Sequence, residues 1–488
     1  MGIRGIHSSG RYGERLLATS QPEGHGPPST SSDSGGRPVI SMRRISLGGG
    51  FRYLMESVAV GDGTADRSNG LARYYAESGT PPGVFLGAGL TGLDDGQGVA
   101  KGSVLTEEHL RNMLGACCDP VTGGPVGRTP NASSKLAPVA GFDLTFSPSK
   151  SVSVAWALAD EGTKAAIYEC HRRAVDYVLT YAERTVLRSR SGTNGIVEED
   201  IDGAVAAAFT HWDSRGGDPQ LHDHLVVWNR ARSTSDGKWR TLDSRTLFHA
   251  RSTLSAMHQG VLSDLLTEAL GVGWDARTRC HSDRPRWEIA GVPEQLLREF
   301  SQRAEQIEAH KDDLIAAFVG HHGRHPTGVE ILRLRQQATL ATRPAKTHRS
   351  LAEMTDQWRH RADSHLGGMD EQVAWVTSLE DRNDLPLLRS DDLAGPILDD
   401  AGRAVIAAVG ERRATFRRDN LLDDAHRLLH GVRFASPDDR IAVAERIADL
   451  AVDRSLALTP ASPHHTPARY VRADGSSRLH WGSVPPDG

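Results

Sequence analysis

The sequence predicts a mixed α and β layer arrangement, α+β or α/β, over residues 42–250, followed by a largely helical remainder. Three observations carry this expectation. Before residue 250 short β-patterned runs interleave with amphipathic helical stretches. The run Phe209–Asn229, FTHWDSRGGDPQLHDHLVVWN, has the layout of a hairpin, with two β-compatible segments flanking a Ser-Arg-Gly-Gly-Asp-Pro turn. Beyond residue 250 the apolar positions recur at helical spacing.

The elements follow in order. Residues 20–41, SQPEGHGPPSTSSDSGGRPVIS, are dominated by Pro, Gly and Ser and bury too little apolar surface to order themselves, so 1–41 is expected to be a disordered leader. Met42 opens MRRISL, which reads as a first strand and as an alternative translation start. VAGFDLTFS, 139–147, alternates Phe142, Leu144 and Phe146 with Asp143 and Thr145, the pattern of a half-buried strand. Ser147 and Pro148 are expected to cap and open a helix through Ser151, Val154 and Ala157. A second helix, 162–186, places Ile167, Cys170, Ala174, Val178 and Tyr181 on one face. The strands 203–212 and 222–228 come next, then helices over 252–270, 293–318, 328–340 and 350–363. A final helical region spans about 395–454 before a Pro-rich tail from Thr459.

Composition narrows the class. With 488 residues, 38% hydrophobic and 24% charged, the chain is an ordinary globular protein of two to four domains. There is no apolar run of about 18 residues and no signal-peptide layout, so a cytoplasmic location is expected. Four cysteines, two of them the adjacent Cys117 and Cys118, form no metal motif and no obvious disulfide. The net charge of −5 excludes a uniformly basic coat, yet charge is uneven. Arg324–Arg361 holds eight Lys/Arg against three Asp/Glu, whereas Glu380–Asp400 holds seven acids against two bases. The basic run is either a solvated helix face or a contact for phosphates.

Chemistry concentrates in the hairpin. On a strand His222 and His224 project from one face, and the hairpin brings His211 beside them. A lone His-x-His is more often two satisfied core imidazoles; a third imidazole makes a metal site with open positions, which is a catalytic arrangement. Zn, Mn and Mg all suit it. Tyr53, in GGGFRYLMES, and Tyr74 with Tyr75, in LARYYAESGTPPG, are weak nucleophiles unless a base or cation helps them, because the phenol pKa is near ~10. Asp143 is placed to orient a ligating histidine or to accept a tyrosine proton. Ser147–Lys150 offers backbone N–H groups and a cation at a helix start, an anion site in principle. Trp212, Trp228 and Trp239 are aromatic side chains in or near the same hairpin that could stack on a flat ligand.

Several separated blocks together resemble the MobF-type, TrwC/TraI-like conjugative relaxases: FRYL with the later YY, GFDLTFSPSKSVS, and HWDSRGGDPQLHDHLVV with its spacing of 11 from His211 to His222. The resemblance covers about Met42 to Arg361. It implies an α+β HUH endonuclease fold, with a five-stranded, largely antiparallel sheet, flanking helices and a helical lid over single-stranded DNA. The implied organisation is a leader at 1–41, a relaxase domain at 42–365 with a lid at about 290–365, and a helical region at 366–488 with a disordered tail from about 459. It further implies that His211, His222 and His224 are the metal ligands, that Tyr53 is the nicking nucleophile with Asp143 beside it, and that Tyr74 and Tyr75 serve a second transfer. Arg215 and Lys150 are then the phosphate contacts, the cofactor is one divalent ion, Mg²⁺ or Mn²⁺ with Zn²⁺ as the alternative, and no ATP is used.

The expected activity is site- and strand-specific nicking and rejoining of single-stranded DNA at a transfer origin through a 5′-phosphotyrosyl intermediate. Expected partners are that DNA, a separate helicase and the coupling machinery of conjugation. Two departures stand out. The residue between the paired histidines, hydrophobic in the family name, is Asp223, expected to point away from the ion with little effect. No Gly-x4-Gly-Lys-Ser/Thr motif is present, so no helicase activity is expected from these residues. The alternatives are an inactive origin-binding accessory protein and a metal hydrolase that uses water.

Overall fold

The computed structural model describes residues 40–55, 80–129, 137–279, 282–343, 349–380, 386–458, 466–472 and 477–479. Its centre is a five-stranded sheet in which every neighbouring pair is antiparallel. The strands are β1 (Ser41–Ser46), β2 (Val84–Leu86), β3 (Val139–Phe146), β4 (Ala206–Asp213) and β5 (Pro219–Trp228), in spatial order β1-β3-β5-β4-β2. The β4–β5 hairpin pairs His211 with His222 and Phe209 with His224, so all three histidines share one face as the alternation requires. Its turn closes through Gly217, whose φ of +80° is open to glycine at little cost. Ser214 and Asp218 bond across it.

One face of the sheet is covered by α2 (Lys150–Leu158), α3 (Glu161–Thr185) and α4 (Ser244–Leu270). Phe142, Leu144, Phe146, Leu225 and Val227 pack there against Ile167, Cys170, Ala174, Val178, Leu254 and Met257. The opposite face is covered only in part: Phe51, Leu54, Phe85, Leu90, Met113 and Leu114 close over Ile45, Phe209, Val226 and Trp228. The histidine end of that face lies beyond this second core. A short helix, α1 (Arg52–Met55), sits at the margin.

Several expectations are corrected. β3 is an interior strand rather than half-exposed, and Asp143 is fully buried, because both neighbouring strands and the second core shield the face that the sequence pattern left to water. The helix after β3 starts at Lys150 with Ser149 as its cap residue, not at Pro148. Ser147 precedes a proline and is biased to extended backbone, which delays the helix. Order begins before Met42: Ile40 is fully buried, its N–H donates to Ser255 Oγ at 3.1 Å, and Ser41 opens β1. Residues 1–39 lie outside the described residues.

Downstream, β6 (Trp274–Arg279) and β7 (Ser282–Ile289) form a hairpin that periodicity did not reveal. Helices α5 (Glu294–Glu299), α6 (Gln302–His322), α7 (Gly328–Ala341), α8 (Leu351–Leu366) and α9 (Met369–Thr377) follow. α8 clamps the turn between the histidine strands: Trp358 Nε1 donates to Gly217 O at 2.7 Å and Arg361 pairs with Asp218 at 3.0 Å. Finally α10 (Gly395–Gly410), α11 (Arg418–Leu428) and α12 (Pro437–Asp453) build a unit with its own core of Val405, Val409, Leu422, Phe434 and Ile447. It docks on α4 through the fully buried Arg440, whose guanidinium meets Asp264 at 2.5 and 2.8 Å. Gly260 leaves room for it, since a Cβ there would lie 2.8 Å from Arg440 Nη1. Part of the tail also returns: Glu198 N–H donates to Arg478 O at 2.8 Å, and Arg472 pairs with Glu198. Among the described residues no helix is long and apolar enough to cross a membrane.

Candidate active site

The three imidazoles converge as the hairpin predicts. One ring nitrogen from each of His211, His222 and His224 lies within 4.8 Å of the others, and the ring centroids are 4.9–5.3 Å apart. Two rings are held from behind. His222 Nδ1 lies 2.7 Å from Gln220 O, and His224 Nδ1 lies 2.8 Å from Asp143 Oδ1. In both, the partner of Nδ1 leaves Nε2 to face a cation, the outer-shell arrangement that fixes tautomer and ring orientation at metal-ligating histidines. Burial, then the neighbouring His224, pushes His222 down to about 4, so this ring is neutral at pH 7 and its lone pair is available. The donor set fits a cation with open positions remaining.

Tyr53 arrives from α1, and its hydroxyl donates to Asp143 Oδ2 at 2.5 Å. The same carboxylate therefore holds both the tyrosine and His224, whose ring centroid is 6.0 Å from that of Tyr53. Burial, then the charge and hydrogen bond of Asp143, raises the Tyr53 hydroxyl above its ordinary range, while Arg43 opposes the rise. In the resting site Tyr53 is a neutral phenol with its proton already aimed at a base. The arrangement can present an anionic ester to a nucleophile with an acceptor for its proton in place.

The other expected residues are placed as follows. Tyr74 and Tyr75 lie outside the described residues. Arg215 is exposed in the turn of the histidine hairpin. Lys150 Nζ donates to Pro219 O at 2.9 Å, bracing the start of β5. The anion site expected at Ser147–Lys150 is taken by the chain itself: Ser151 N–H donates to the buried Glu288 at 2.8 Å. Trp212 and Trp228 are core residues, the first stacked on Trp156 at 5.2 Å and the second donating to Met113 O at 2.7 Å, so neither offers a face to a base. Trp239 packs beside Trp228.

Asp223 points away from the imidazoles as expected, but it is no bystander. It is fully buried and accepts from Thr210 Oγ1 at 2.6 Å and Arg172 at 3.0 Å. Burial pushes its carboxyl up, yet His171 and Arg172 outweigh that and hold it below the ordinary carboxylate range. Sequence reasoning also missed Arg43, which lies over the Tyr53 ring at 5.7 Å, and Glu288. Alternation along MRRISL was the available signal for Arg43, but its partner strand lay about a hundred residues away.

Together, the antiparallel sheet, imidazole trio and carboxylate-held tyrosine define a class of site in which a trio of histidines able to hold a cation stands beside a part-buried phenol held by a base. The comparisons agree with that class. Residues 47–365 match the family model of the TrwC relaxase. The multifunctional conjugation protein TraI of Escherichia coli is 30% identical over 333 residues, and TraI of strain K12 is 28% identical over 335; each match takes in 66% of this chain. The chain spans 17% of the length of these curated relatives. Among solved structures, a conjugative relaxase TrwC in complex with OriT DNA, copper-bound, aligns with a TM-score of 0.51 at 26% identity, covering 67% of this chain and 98% of that one. A metal-bound TrwC–OriT DNA complex aligns with a TM-score of 0.50 at 25% identity over the same shares. This chain belongs to the TrwC relaxase family.

Proposed function

We propose that this chain nicks and rejoins one strand of DNA at a transfer origin, with Tyr53 as nucleophile. The observation that carries the reading is the continuous contact from Tyr53 Oη through Asp143 to His224, beside His211 and His222. Family membership and the DNA complexes of similar relaxases support the substrate class.

Tyr53 Oη attacks the phosphorus while its proton passes along the existing hydrogen bond to Asp143. The new O–P bond forms as the P–O3′ bond breaks, and the departing oxygen takes up a proton as a free 3′-hydroxyl. The 5′-phosphate stays on Tyr53. One phosphodiester is exchanged for another, so the reverse attack by the 3′-hydroxyl rejoins the strand without ATP. His211, His222 and His224 would hold a divalent cation, which when bound withdraws charge from the phosphate oxygens. Metal-bound relatives support a divalent ion, with Mg²⁺ or Mn²⁺ as the working choice.

Arg215, in the exposed hairpin turn, is offered as a backbone contact. Lys150, whose ammonium gives one of its three N–H donors to Pro219 O, is offered as a second. The helices α5 to α8 are read as the covering lid, and positioning of the strand is their contribution to rate. Much of the basic stretch there is already paired, Arg324 with Glu330, Arg335 with Glu308 and Arg361 with Glu299; Arg333 and Arg343 are exposed.

The test uses labelled single-stranded oligonucleotides tiling the replicon that encodes the chain, with Mg²⁺ or Mn²⁺. Wild type is expected to give a covalent protein–DNA band on one oligonucleotide, lost with EDTA and lost in Tyr53→Phe. A covalent band retained by Tyr53→Phe would sink the nucleophile assignment. Binding without any adduct favours the accessory protein, and cutting without a protein link favours a water-using hydrolase.

A further inference from the structure

The catalytic face carries one more cation, and neither the family motif nor the tyrosine–histidine geometry assigns it a task. Arg43 pairs in register with Asp143 across β1 and β3, and directly opposed residues of an antiparallel pair lie on the same face of the sheet. Arg43 is thus on the face of Asp143, Tyr53 and the imidazoles, at the edge strand. Its guanidinium carbon stands 5.7 Å from the centre of the Tyr53 ring. The residue is exposed, and among the described residues it makes no ion pair. The carboxylate nearest in register, Asp143, is committed to Tyr53 and His224. Tyr53 is accordingly flanked by the imidazole trio on the β4–β5 side and by a guanidinium on the β1 side.

We propose that Arg43 binds the backbone phosphate next to the one Tyr53 attacks, so that the DNA strand is held on both sides of the nucleophile. This rests on the nicking function proposed above. A strand lying across the face presents one phosphate to the imidazoles and a neighbouring one to β1, and a guanidinium is the side chain whose fork fits phosphate oxygens. Packing on the ring alone does not explain the placement, since an exposed cation–π contact is weak and leaves the charge of Arg43 unanswered at a site built for a polyanion. The contact reads no base; it fixes register.

Arg44 supplies an internal control. It is equally exposed on the same strand but faces the other side, over Phe248 at 5.0 Å. The nicked oligonucleotide is titrated against wild type, Arg43→Gln, Arg43→Lys and Arg44→Gln at several salt concentrations, with covalent adduct scored in parallel. Arg43→Gln is expected to bind about tenfold more weakly at low salt, with the slope of log K on log salt reduced by about 0.7, the value for one phosphate of a single strand. Arg43→Lys should recover most of the slope, and Arg44→Gln should keep all of it. Replacing the neighbouring phosphate with a neutral methylphosphonate should weaken wild type and leave Arg43→Gln unaffected. An unchanged slope with slower adduct formation in Arg43→Gln means packing on Tyr53 only and overturns the proposal. Equal slope losses in Arg43→Gln and Arg44→Gln mean a general charge effect and overturn it too. If wild type forms no adduct with any oligonucleotide, the failure lies with the nicking function and not with Arg43 alone.

Discussion

Asp143 is the residue on which the site turns, because one carboxylate serves the tyrosine and a histidine at once. Replacing it with asparagine keeps the shape but removes the charge that orients His224 and receives the proton. Asp143→Asn is expected to lose about 10- to 100-fold in Mn²⁺ affinity, read by calorimetry, with adduct formation slowed further. An unchanged Mn²⁺ affinity would show that His224 needs no carboxylate behind it. The trio, Tyr53 and Asp143 were legible in the sequence because each is a chemically distinctive side chain in a distinctive block. Arg43 was not, since an arginine on a strand is chemically ordinary until the register against a distant strand is known.

At the scale of the element, β5 serves two faces. His222 and His224 point to the site, while Asp223 between them anchors the strand to α3 through Arg172. Asp223→Ala is expected to destabilise the fold by about 1.5–3 kcal/mol, because it leaves the part-buried Arg172 guanidinium and the buried Thr210 hydroxyl without their partner. The measurement is urea unfolding of the metal-free protein, and a loss under 1 kcal/mol would return Asp223 to the minor role its position in the motif suggested. The strands β3 and β5 were readable from alternation, and β4 from its apolar run and the turn chemistry that follows it. The β6–β7 hairpin was not: its strands are rich in Arg and Asp, and its buried Glu288 is satisfied by Ser151 on another element, which no local pattern reveals. The turn of the ligand hairpin likewise depends on a distant donor, Trp358. Trp358→Phe, which keeps an aromatic ring but removes the indole N–H and part of the buried volume, should loosen the Gly217 turn, seen as faster amide exchange at 214–218 than in wild type.

For the whole molecule, the docking of α10 to α12 on α4 buries the imidazoles of His426 and His430, while His258 on α4 is buried on its other side, against Phe146 and His171. Burial, then Arg440 and Arg427, pushes His426 down to about 3, and burial first among the causes holds His258 and His430 well below the ordinary histidine range. The folded state then binds fewer protons than the unfolded chain, whose histidines titrate near ~6.5. Stability is therefore full above that value and is lost as pH falls from about 6.5 toward 3, by up to about 1.4 kcal/mol per pH unit for each such group. Thermal midpoints at pH 7.5, 6 and 5 should fall in that order, and less steeply in His426→Leu, whose wild-type ring nitrogens have no hydrogen-bond partner among the described residues. A midpoint flat from pH 7.5 to 5 would contradict the assignment. The helical character of 395–454 was visible in periodicity, but its attachment was not, because Arg440 and Asp264 are 176 positions apart.

That buried pair has a consequence for recombination. The family match ends at residue 365, yet Asp264 inside it is answered from beyond that point, by the guanidiniums of Arg440 and Arg433 and by the Phe434 N–H. A chimera spliced at 365 would inherit an orphaned carboxylate and a stripped face of α4, whereas one spliced after Asp453 would carry both halves of the bond. Swapped modules should therefore be tolerated downstream of α12 and rejected at the motif boundary.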